Sequence, residues 1–243
     1  MDTTNFKAST WQALIKFDKE HGFFKTKQAV LVGLSGGADS VALLHFVKQM
    51  STKKHFDVYA CHIHHGLRKS AGKDAAFSSS VAKKLNIPFI IKKVKTPALA
   101  KEEKLSIEHA ARKARYAALG AVAKKFNCKK IALAHHADDN AETILLNILR
   151  GTKAKGLLGI PVKRPLGKIE IIRPFLVISR SEVLAYIKAH KLSFITDETN
   201  LDDAYTRNWV RHILLPLLET KQPKITAHLL AMASDLAKYI KRD

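Results

Sequence analysis

Cysteine is scarce in this sequence. Cys61 and Cys128 are the two cysteines among 243 residues, and neither belongs to a Cys-x-x-Cys pair. This pattern excludes a disulfide framework and a cysteine-based zinc or iron–sulfur motif. It is typical of proteins that work in a reducing compartment, so we expect a cytoplasmic protein.

Long apolar runs are missing from the start of the chain. Residues Met1 to Glu20 carry several charged side chains, among them Asp2, Lys7 and Lys16. A signal peptide or a membrane anchor needs an uninterrupted apolar segment, and neither is expected here.

Acidic residues are few relative to basic ones. The chain has 21 Asp and Glu against 42 Lys and Arg, which gives a formal charge of +21. Such an excess favours a polyanionic partner such as nucleic acid, because each contact with a phosphate releases counterions. A basic surface that is merely solvated is the alternative.

Apolar segments typical of strands alternate regularly with amphipathic segments typical of helices. The predicted strands are 28–34, 56–64, 87–94 and 130–134. The predicted helices are 10–24, 39–50, 72–86, 106–126, 138–149, 179–190 and 225–240. This alternation predicts an α/β fold with a doubly wound, mostly parallel sheet, helices on both faces and a C-terminal helix. Residues 151–175, rich in Gly, Pro and Lys, are predicted to form a long functional loop.

The segment that joins the first predicted strand to its helix has the composition of a phosphate-binding loop. It reads Gly-Leu-Ser-Gly-Gly-Ala-Asp-Ser over residues 33–40. Paired glycines let backbone N–H groups approach a ligand, and the helix N-terminus adds partial positive charge. The candidate ligands of a di- or triphosphate are Ser35, Gly36, Gly37, Ala38, Asp39 and Ser40. The segment matches neither the dinucleotide fingerprint nor the Walker A loop.

An acidic side chain in such a loop needs an explanation. Asp39 would repel phosphate unless a cation lay between them. We therefore expect Asp39 to help hold Mg²⁺ on a pyrophosphate group.

Histidines end the second predicted strand. His62 and His64 point to the same face, because side chains alternate along a strand. A metal site, imidazoles stacking on a nucleotide base, and a hydrogen-bonding strand end all remain open.

A second polar block follows the fourth predicted strand, over residues 135–143. Asp138 and Glu142 are four residues apart, on one face of the predicted helix. They lie at the carboxyl edge of the predicted sheet, where ligands of such folds bind. A dinuclear metal centre built from His135, His136, Asp138 and Asp139 is the alternative. The long helix 106–126 adds Arg112 and Arg115, which either clamp phosphate or belong to a solvated face.

Together these segments resemble the tRNA(Ile)-lysidine synthetase family of the PP-loop ATP pyrophosphatase superfamily. The matching motifs are Leu34–Ser40, His62–Arg68, Glu108–Tyr116, His135–Thr143, Leu149–Gly151, Gly156–Gly159, Arg173-Pro174, Asp197–Asn200 and Arg207-Asn208-x-x-Arg211. The resemblance spans roughly residues 28–216 and implies a Rossmann-like PP-loop fold.

The resemblance also implies an activity. ATP adenylates C2 of the wobble cytidine in an isoleucine tRNA with a CAU anticodon, and the ε-amine of free L-lysine then displaces AMP. Transferred by position, the loop residues, with His62, would bind ATP and Mg²⁺. The residues that would line the active site are Asp39, Arg112, Arg115, Asp138, Glu142 and Arg207. Asp138 and Glu142 are assigned to the attacking lysine or to a cation.

The resemblance suggests a division of the chain and a tRNA-binding surface. Residues 1–216 would form the catalytic domain and 217–243 a helical extension. Members of the family continue past such a helix into C-terminal tRNA-binding domains, whereas this sequence stops at Asp243. The family also suggests a homodimer. Basic residues suited to tRNA phosphates are Lys153, Lys155, Lys163, Arg164 and Lys168.

Three other functions remain open. A 2-thiolating tRNA enzyme of the PP-loop class would share the adenylation step but usually needs paired or reactive cysteines. A nucleotide-dependent RNA-binding module without catalysis would gain nothing from acids beside bound phosphate. The third is a metal-dependent phosphoesterase.

Overall fold

The structure is a computed structural model that describes residues 3–66, 71–196 and 206–240. Two of the motifs named above, Asp197–Asn200 and the Arg68 end of His62–Arg68, lie outside the described residues. Within the described part, no helix is long and apolar enough to cross a membrane.

A six-stranded sheet with the order β3-β2-β1-β4-β6-β5 forms the centre of the molecule. Its strands are β1 (Ala29–Gly33), β2 (Asp57–His64), β3 (Phe89–Lys93), β4 (Lys130–Ala132), β5 (Lys163–Leu166) and β6 (Ile169–Ile172). All neighbouring pairs are parallel except β5 and β6. The predicted mostly parallel α/β fold is confirmed.

Helices cover both faces of this sheet. Those before β4 are α1 (Thr3–His21), α2 (Ala38–Lys54), α3 (Ala71–Lys84), α4 (Thr96–Glu102) and α5 (Ile107–Lys125). Those after it are α6 (Ala137–Leu149), α7 (Arg180–Ala189), α8 (Thr206–Trp209), α9 (Leu215–Lys221) and the predicted C-terminal helix α10 (Ile225–Ile240). Short 3₁₀ helices span Ala154–Leu158 and Pro174–Val177, and a π-helical segment, Val210–Leu214, joins α8 to α9.

Each face of the sheet has its own apolar core. On one face, Val30 and Val32 pack with Leu14 of α1, Phe46 of α2 and Val183 of α7. On the other face, Leu31 and Ile131 pack with residues of α5, which include Tyr116 and Leu119. Both cores are made by the alternation of side chains along buried parallel strands.

A third apolar cluster joins α6 to the C-terminal part of the chain. Ala141 and Ile144 of α6 pack with Val210, Leu215 and Leu229. The predicted boundary between residues 216 and 217 falls inside α9, so a helix joins the two predicted parts. The division itself stays a prediction.

The interpretation of residues 151–175 as a loop was wrong in part. The segment contains the β5–β6 hairpin, in which Leu166 pairs with Ile169 across the two-residue turn Gly167-Lys168. Gly167 has a positive φ of 59°, which suits such a turn. Pro165 lies on the outer strand, where its missing N–H costs no interstrand hydrogen bond.

The strand order creates a crevice at the carboxyl edge of the sheet. The chain moves from β1 to β2 and β3 on one side and then returns to β4 on the other. At such a reversal the connections after the two central strands diverge and leave room for a ligand. The predicted phosphate loop follows β1, and the predicted acidic block follows β4.

Candidate active site

A cleft of about 290 Å³ lies between the ends of β1 and β4. The phosphate loop contributes Ser35, Gly37, Asp39 and Ser40 to its lining. Arg115 from α5 and His135 after β4 face the same space. The structure therefore brings the first and second predicted polar blocks together.

The hydroxyl of Ser40 holds the phosphate loop in shape. It accepts hydrogen bonds from the backbone N–H groups of Ser35, at 3.1 Å, and Gly36, at 3.2 Å, and donates to the Gly37 carbonyl at 2.9 Å. Gly37 is the N-cap of α2 and makes no side-chain cap, so the first amides of the helix point outward without a side-chain acceptor. Those amides, which begin at Ala38, can bind an anion.

Gly36 requires glycine for two reasons. Its φ is +96°, and a Cβ would lie 2.8 Å from Cδ1 of Ile195. The backbone N–H of Ile195 donates to the Gly36 carbonyl at 3.0 Å. A side chain at position 36 would therefore displace the loop from the segment that supports it.

His62 supports the phosphate loop from the side away from the cleft. Its Nδ1 lies 3.0 Å from the Leu34 carbonyl and 3.4 Å from the Ser78 hydroxyl, and burial lowers its pKa. The cleft is lined from β2 by the alternate residues Cys61 and Ile63 and then by His65. A direct contact between His62 and a nucleotide stays a prediction.

Asp39 has one paired and one free carboxylate oxygen. Its Oδ2 accepts from Nη1 of Arg180 at 2.5 Å, whereas Oδ1 is buried and has no hydrogen-bond partner. Arg180 is the first residue of α7, and its backbone N–H donates to Asp138 at 2.7 Å. A capping box begins α7, since Ser179 accepts from the Glu182 N–H at 3.2 Å and its own N–H donates to Glu182 at 2.7 Å.

The orphaned Oδ1 of Asp39 fits a cation. A buried carboxylate oxygen without a donor is unfavourable unless a cation or a proton satisfies it. Among the described residues, no group of three or more His, Cys, Asp or Glu side chains could hold a metal ion. A cation at Asp39 would therefore need oxygen ligands from a bound phosphate, as Mg²⁺ commonly has.

Asp139 and Glu142 of α6 are engaged by two arginines. Arg211 contacts Glu142 Oε1 at 2.6 Å and Asp139 Oδ1 at 3.1 Å, and Arg207 contacts Glu142 Oε2 at 3.1 Å. The Glu142 side chain is 2% exposed. Burial lowers the pKa of Arg211, but the contacts with Glu142 and Asp139 outweigh it and raise the pKa overall.

Asp138 is more accessible than Glu142, although both lie on α6. Its side chain is 31% exposed and lies 3.4 Å from His136. Burial would raise the pKa of Asp138, but the His136 hydrogen bond and the Arg180 N–H lower it overall. Asp138 is therefore ionised at neutral pH and can receive a cationic ligand group.

His135 contributes a neutral side chain to the cleft. Burial lowers its pKa to about 3, although Asp139 acts in the opposite direction. Its Nδ1 is buried and has no hydrogen-bond partner. The imidazole is therefore uncharged at neutral pH and has a free position for a ligand.

Arg180 and Arg211 were missed as site residues by sequence reasoning. The contact between Arg180 and Asp39 joins residues 141 positions apart, so no local pattern indicates it. Arg211 did have a signal, because it lies four residues after the predicted site residue Arg207 and such pairs share a helical face. The π-helical segment that carries Arg211 could not be predicted from this spacing.

Known proteins match this sequence over most of its length. A family model described as the PP-loop domain matches residues 5–218. The chain is 39% identical over 227 residues to the tRNA(Ile)-lysidine synthase of Clostridium perfringens strain 13, a match that covers 93% of this chain and 48% of that protein. It is 43% identical over 195 residues to the enzyme of the same name from Nitrosomonas europaea, with 79% of this chain and 41% of that protein covered. The chain spans about half the length of the curated relatives it matches.

Solved structures share the fold at low sequence identity. The U34-tRNA thiolase NcsA from Methanococcus maripaludis superimposes with a TM-score of 0.80 at 18% identity, covering 97% of this chain and 80% of that one. The NH3-dependent NAD synthetase from Campylobacter jejuni gives a TM-score of 0.54 at 17% identity, covering 98% and 96%. Since the PP-loop domain model covers most of the sequence and its phosphate loop lines the cleft, this chain belongs to the PP-loop domain family.

Proposed function

We propose that this chain carries the catalytic site of an ATP-dependent carbon–nitrogen ligase that forms lysidine. The reaction joins free L-lysine to C2 of the wobble cytidine in an isoleucine tRNA with a CAU anticodon. It releases pyrophosphate in the first step and AMP in the second. The observation that carries the proposal is that the phosphate loop and His135, just before α6, line one cleft. Arg180 links Asp39 of that loop to Asp138 at the acidic start of α6.

The phosphate loop is proposed to hold the triphosphate of ATP, which the PP-loop domain match supports. The N-terminal amides of α2 and the Ser35 hydroxyl would bind the pyrophosphate oxygens. Asp39 Oδ1 would hold Mg²⁺, which neutralises charge on the leaving pyrophosphate when bound. Arg115 would place a guanidinium near the α-phosphate without needing a carboxylate partner.

The acidic start of α6, which follows the cleft residue His135, is proposed to receive the lysine. In the first step the C2 oxygen of cytidine bonds to the α-phosphorus, and the bond to pyrophosphate breaks. In the second, the ε-amine of lysine bonds to C2, AMP leaves with that oxygen, and the amine loses its proton. Asp138 is the best placed carboxylate to orient the amine, since Glu142 and Asp139 are engaged by Arg207 and Arg211.

The alternative of thiolation is disfavoured by the cysteines. Burial raises the pKa of Cys61 to about 12 and that of Cys128 to about 11. Thiolates, and not thiols, are the nucleophiles of sulfur transfer. Both side chains are therefore held in the unreactive form, although Cys61 lines the cleft.

The proposed substrates indicate where the reaction takes place. ATP, free lysine and unmodified tRNA meet in the cytoplasm, where we place the reaction. A homodimer stays a prediction.

The decisive experiment supplies all proposed substrates at once. The protein is incubated with ATP, Mg²⁺, radiolabelled lysine and an unmodified CAU-anticodon isoleucine tRNA, and the nucleosides are analysed by mass spectrometry. We expect lysine-dependent release of AMP and pyrophosphate and a lysine-sized mass gain on cytidine. A tRNA with uridine at the wobble position serves as the control and should gain nothing. Release of AMP without lysine incorporation would keep the PP-loop chemistry and reject lysine as the substrate.

A further inference from the structure

Four arginines surround the ring of Tyr116 beside the cleft. The guanidinium carbon of Arg164 lies 4.4 Å from the ring centroid, that of Arg112 5.2 Å and that of Arg115 5.4 Å. Burial would raise the pKa of Tyr116, but the charges of Arg112, Arg115 and Arg173 lower it overall. We call Arg112, Arg115, Arg164 and Arg173 the arginine cluster.

The cluster has no negative charge of its own. Across residues 3–66, 71–196 and 206–240, no carboxylate lies within ion-pair distance of any of its members. Arg173 is 1% exposed and donates to the Pro161 carbonyl at 2.6 Å. Burial lowers the pKa of both Arg173 and Arg115. Concentrating buried guanidinium groups without an anion is unfavourable unless a ligand supplies the missing charge.

Several donors of the cluster are also unsatisfied. Nε of Arg115, of Arg164 and of Arg173 is buried and has no hydrogen-bond partner. Most buried polar groups in proteins do have a partner, so a group of orphaned donors in one place needs a cause. An oxyanion that accepts several hydrogen bonds would satisfy them together.

The β5–β6 hairpin completes the cluster from a different part of the chain. Arg164 pairs with Ile171, which packs in the core under α5, so both side chains face α5. The neighbouring Lys163 pairs with Ile172 and faces the other side of the sheet, with its amine 6.0 Å from the ring of Phe23 and 3.9 Å from Glu170. The structure thus separates Arg164 from Lys163, which the sequence had grouped as one basic surface.

The position of the cluster indicates the source of the anion. Arg115 lines the cleft, whereas Arg112, one turn earlier on α5, is exposed. The cluster therefore runs from the cleft to the surface. The phosphate loop already supplies donors for the pyrophosphate of ATP, so the outer arginines are available to a longer polyanion.

We propose that the outer members of the arginine cluster, Arg112 and Arg164, bind a backbone phosphate of the RNA next to the nucleotide that enters the cleft. This inference rests on the proposed function, since it takes RNA as the substrate. Guanidinium groups bind phosphate oxygens in pairs, and the Tyr116 hydroxyl can donate to the same group. The cluster would fix the RNA backbone and leave reading of the base to the cleft.

The test compares two adjacent residues of β5 that face opposite sides. Arg164→Gln and Lys163→Gln each remove one positive charge, and binding of unmodified CAU-anticodon tRNA is measured by fluorescence anisotropy over a range of KCl concentrations. We expect Arg164→Gln to raise Kd about tenfold. It should also reduce the slope of log K against log salt by about 0.7 to 0.9. Lys163→Gln should stay within about twofold of the unaltered protein, which is the scale of a general charge effect.

Two further variants and a measurement of ATP binding complete the test. Arg112→Gln, at an exposed position, should weaken tRNA binding in the same way without a risk to folding, and Arg164→Lys should give an intermediate Kd. Calorimetric titration with Mg-ATP should give the same Kd for Arg164→Gln, Lys163→Gln and the unaltered protein. Equal tRNA binding by Arg164→Gln and Lys163→Gln would overturn the proposal, and so would a loss of ATP binding with unchanged tRNA binding.

The outcome is separable from that of the proposed function. If the unaltered protein forms lysidine and Arg164→Gln binds tRNA normally, the proposed function is supported and the proposed phosphate site is rejected. If the unaltered protein forms no lysidine but Arg164→Gln shows weaker, less salt-dependent RNA binding, the phosphate site is supported. The proposed reaction is then rejected.

Discussion

The acidic residues of the phosphate loop and of α6 and the arginine cluster have opposite charge, and they differ in how that charge is balanced. Asp39 is paired with Arg180, and Glu142 and Asp139 are paired with Arg207 and Arg211. The cluster has no such partners among the described residues. A charged side chain in an ion pair is held in position before a ligand binds. An unpaired charged side chain is stabilised only when a ligand of opposite charge binds. The acidic side is therefore organised in advance, and the arginine side depends on its ligand.

Asp39→Asn should have the largest effect on activity. The change keeps the size of the side chain but removes the charge that would hold Mg²⁺ and pair with Arg180. We expect kcat/KM to fall by about 100- to 1000-fold, the scale of losing one electrostatic group at a reacting centre. Activity is measured as AMP release over a range of Mg²⁺ concentrations. Asp57→Asn, at the amino end of β2 and away from the carboxyl edge that holds the cleft, is the control. Unchanged activity and Mg²⁺ dependence in Asp39→Asn would exclude the cation role.

Glu142→Gln should have the largest effect on stability. It leaves Arg207 and Arg211 without their buried carboxylate, so we expect the free energy of unfolding to fall by about 3 kcal/mol. Glu103→Gln is the matched control, because Glu103 pairs with Lys113 at the surface. That change should cost less than about 1 kcal/mol. Urea unfolding of both variants measures the difference, and equal losses would show that the acidic side is not organised by its ion pairs.

Acid should loosen the contact between α2 and α7, which carry Asp39 and Arg180. His45 of α2 lies 2.8 Å from the Tyr186 hydroxyl of α7 and next to His190, and burial followed by the charge of His190 lowers its pKa from 6.5 to about 4. Between these values the unfolded chain binds a proton that the folded protein does not. The free energy of unfolding is therefore not reduced by His45 above pH 6.5, and it falls as the pH decreases toward 4.

The expected size of this effect is modest because His45 is only half-buried. We expect a loss of about 1 kcal/mol for this residue between pH 7.5 and pH 5 after allowance for solvent screening. Urea unfolding of the unaltered protein and His45→Gln at both pH values measures it. The same pH dependence in both proteins would assign the loss to other groups.

Cys61→Ala should have the smallest effect on activity. The thiol lines the cleft, but its raised pKa of about 12 keeps it protonated. Cys61 therefore adds no charge to the acidic residues or to the arginine cluster. We expect lysidine formation to continue at a similar rate. Abolished turnover with unchanged thermal stability would instead favour chemistry at this sulfur.

The central strands and the phosphate loop could be predicted because their signals are local. The segment Ala29–Gly33 is a short apolar run that the paired glycines Gly36 and Gly37 follow, and the predicted strand is present in the sheet. The hairpin at 163–172 was missed because its outer strand contains Lys163, Arg164 and Pro165 in place of an apolar alternation. Gly167-Lys168 was the signal that could have indicated a turn.

The site was predictable only where one motif contains all its members. The loop residues and the acids of α6 follow their strands directly, and the sheet brings them to one edge. The pairing of Asp39 with Arg180 and the convergence of Arg164 and Arg173 on Tyr116 depend on tertiary packing. No pattern in a single segment encodes such contacts, because the residues come from separate elements.

The β5–β6 hairpin also determines how the sheet ends. An open edge strand presents unpaired backbone groups to which another chain can add a strand, which is a route to aggregation. Pro165 interrupts those groups on β5, and the neighbouring Lys163 and Lys168 add repulsive charge. At the opposite edge, β3 ends in Lys92 and Lys93, which are exposed. Both margins of the sheet thus discourage strand addition, so lysines at its two edges help protect the folded protein against aggregation through its strands.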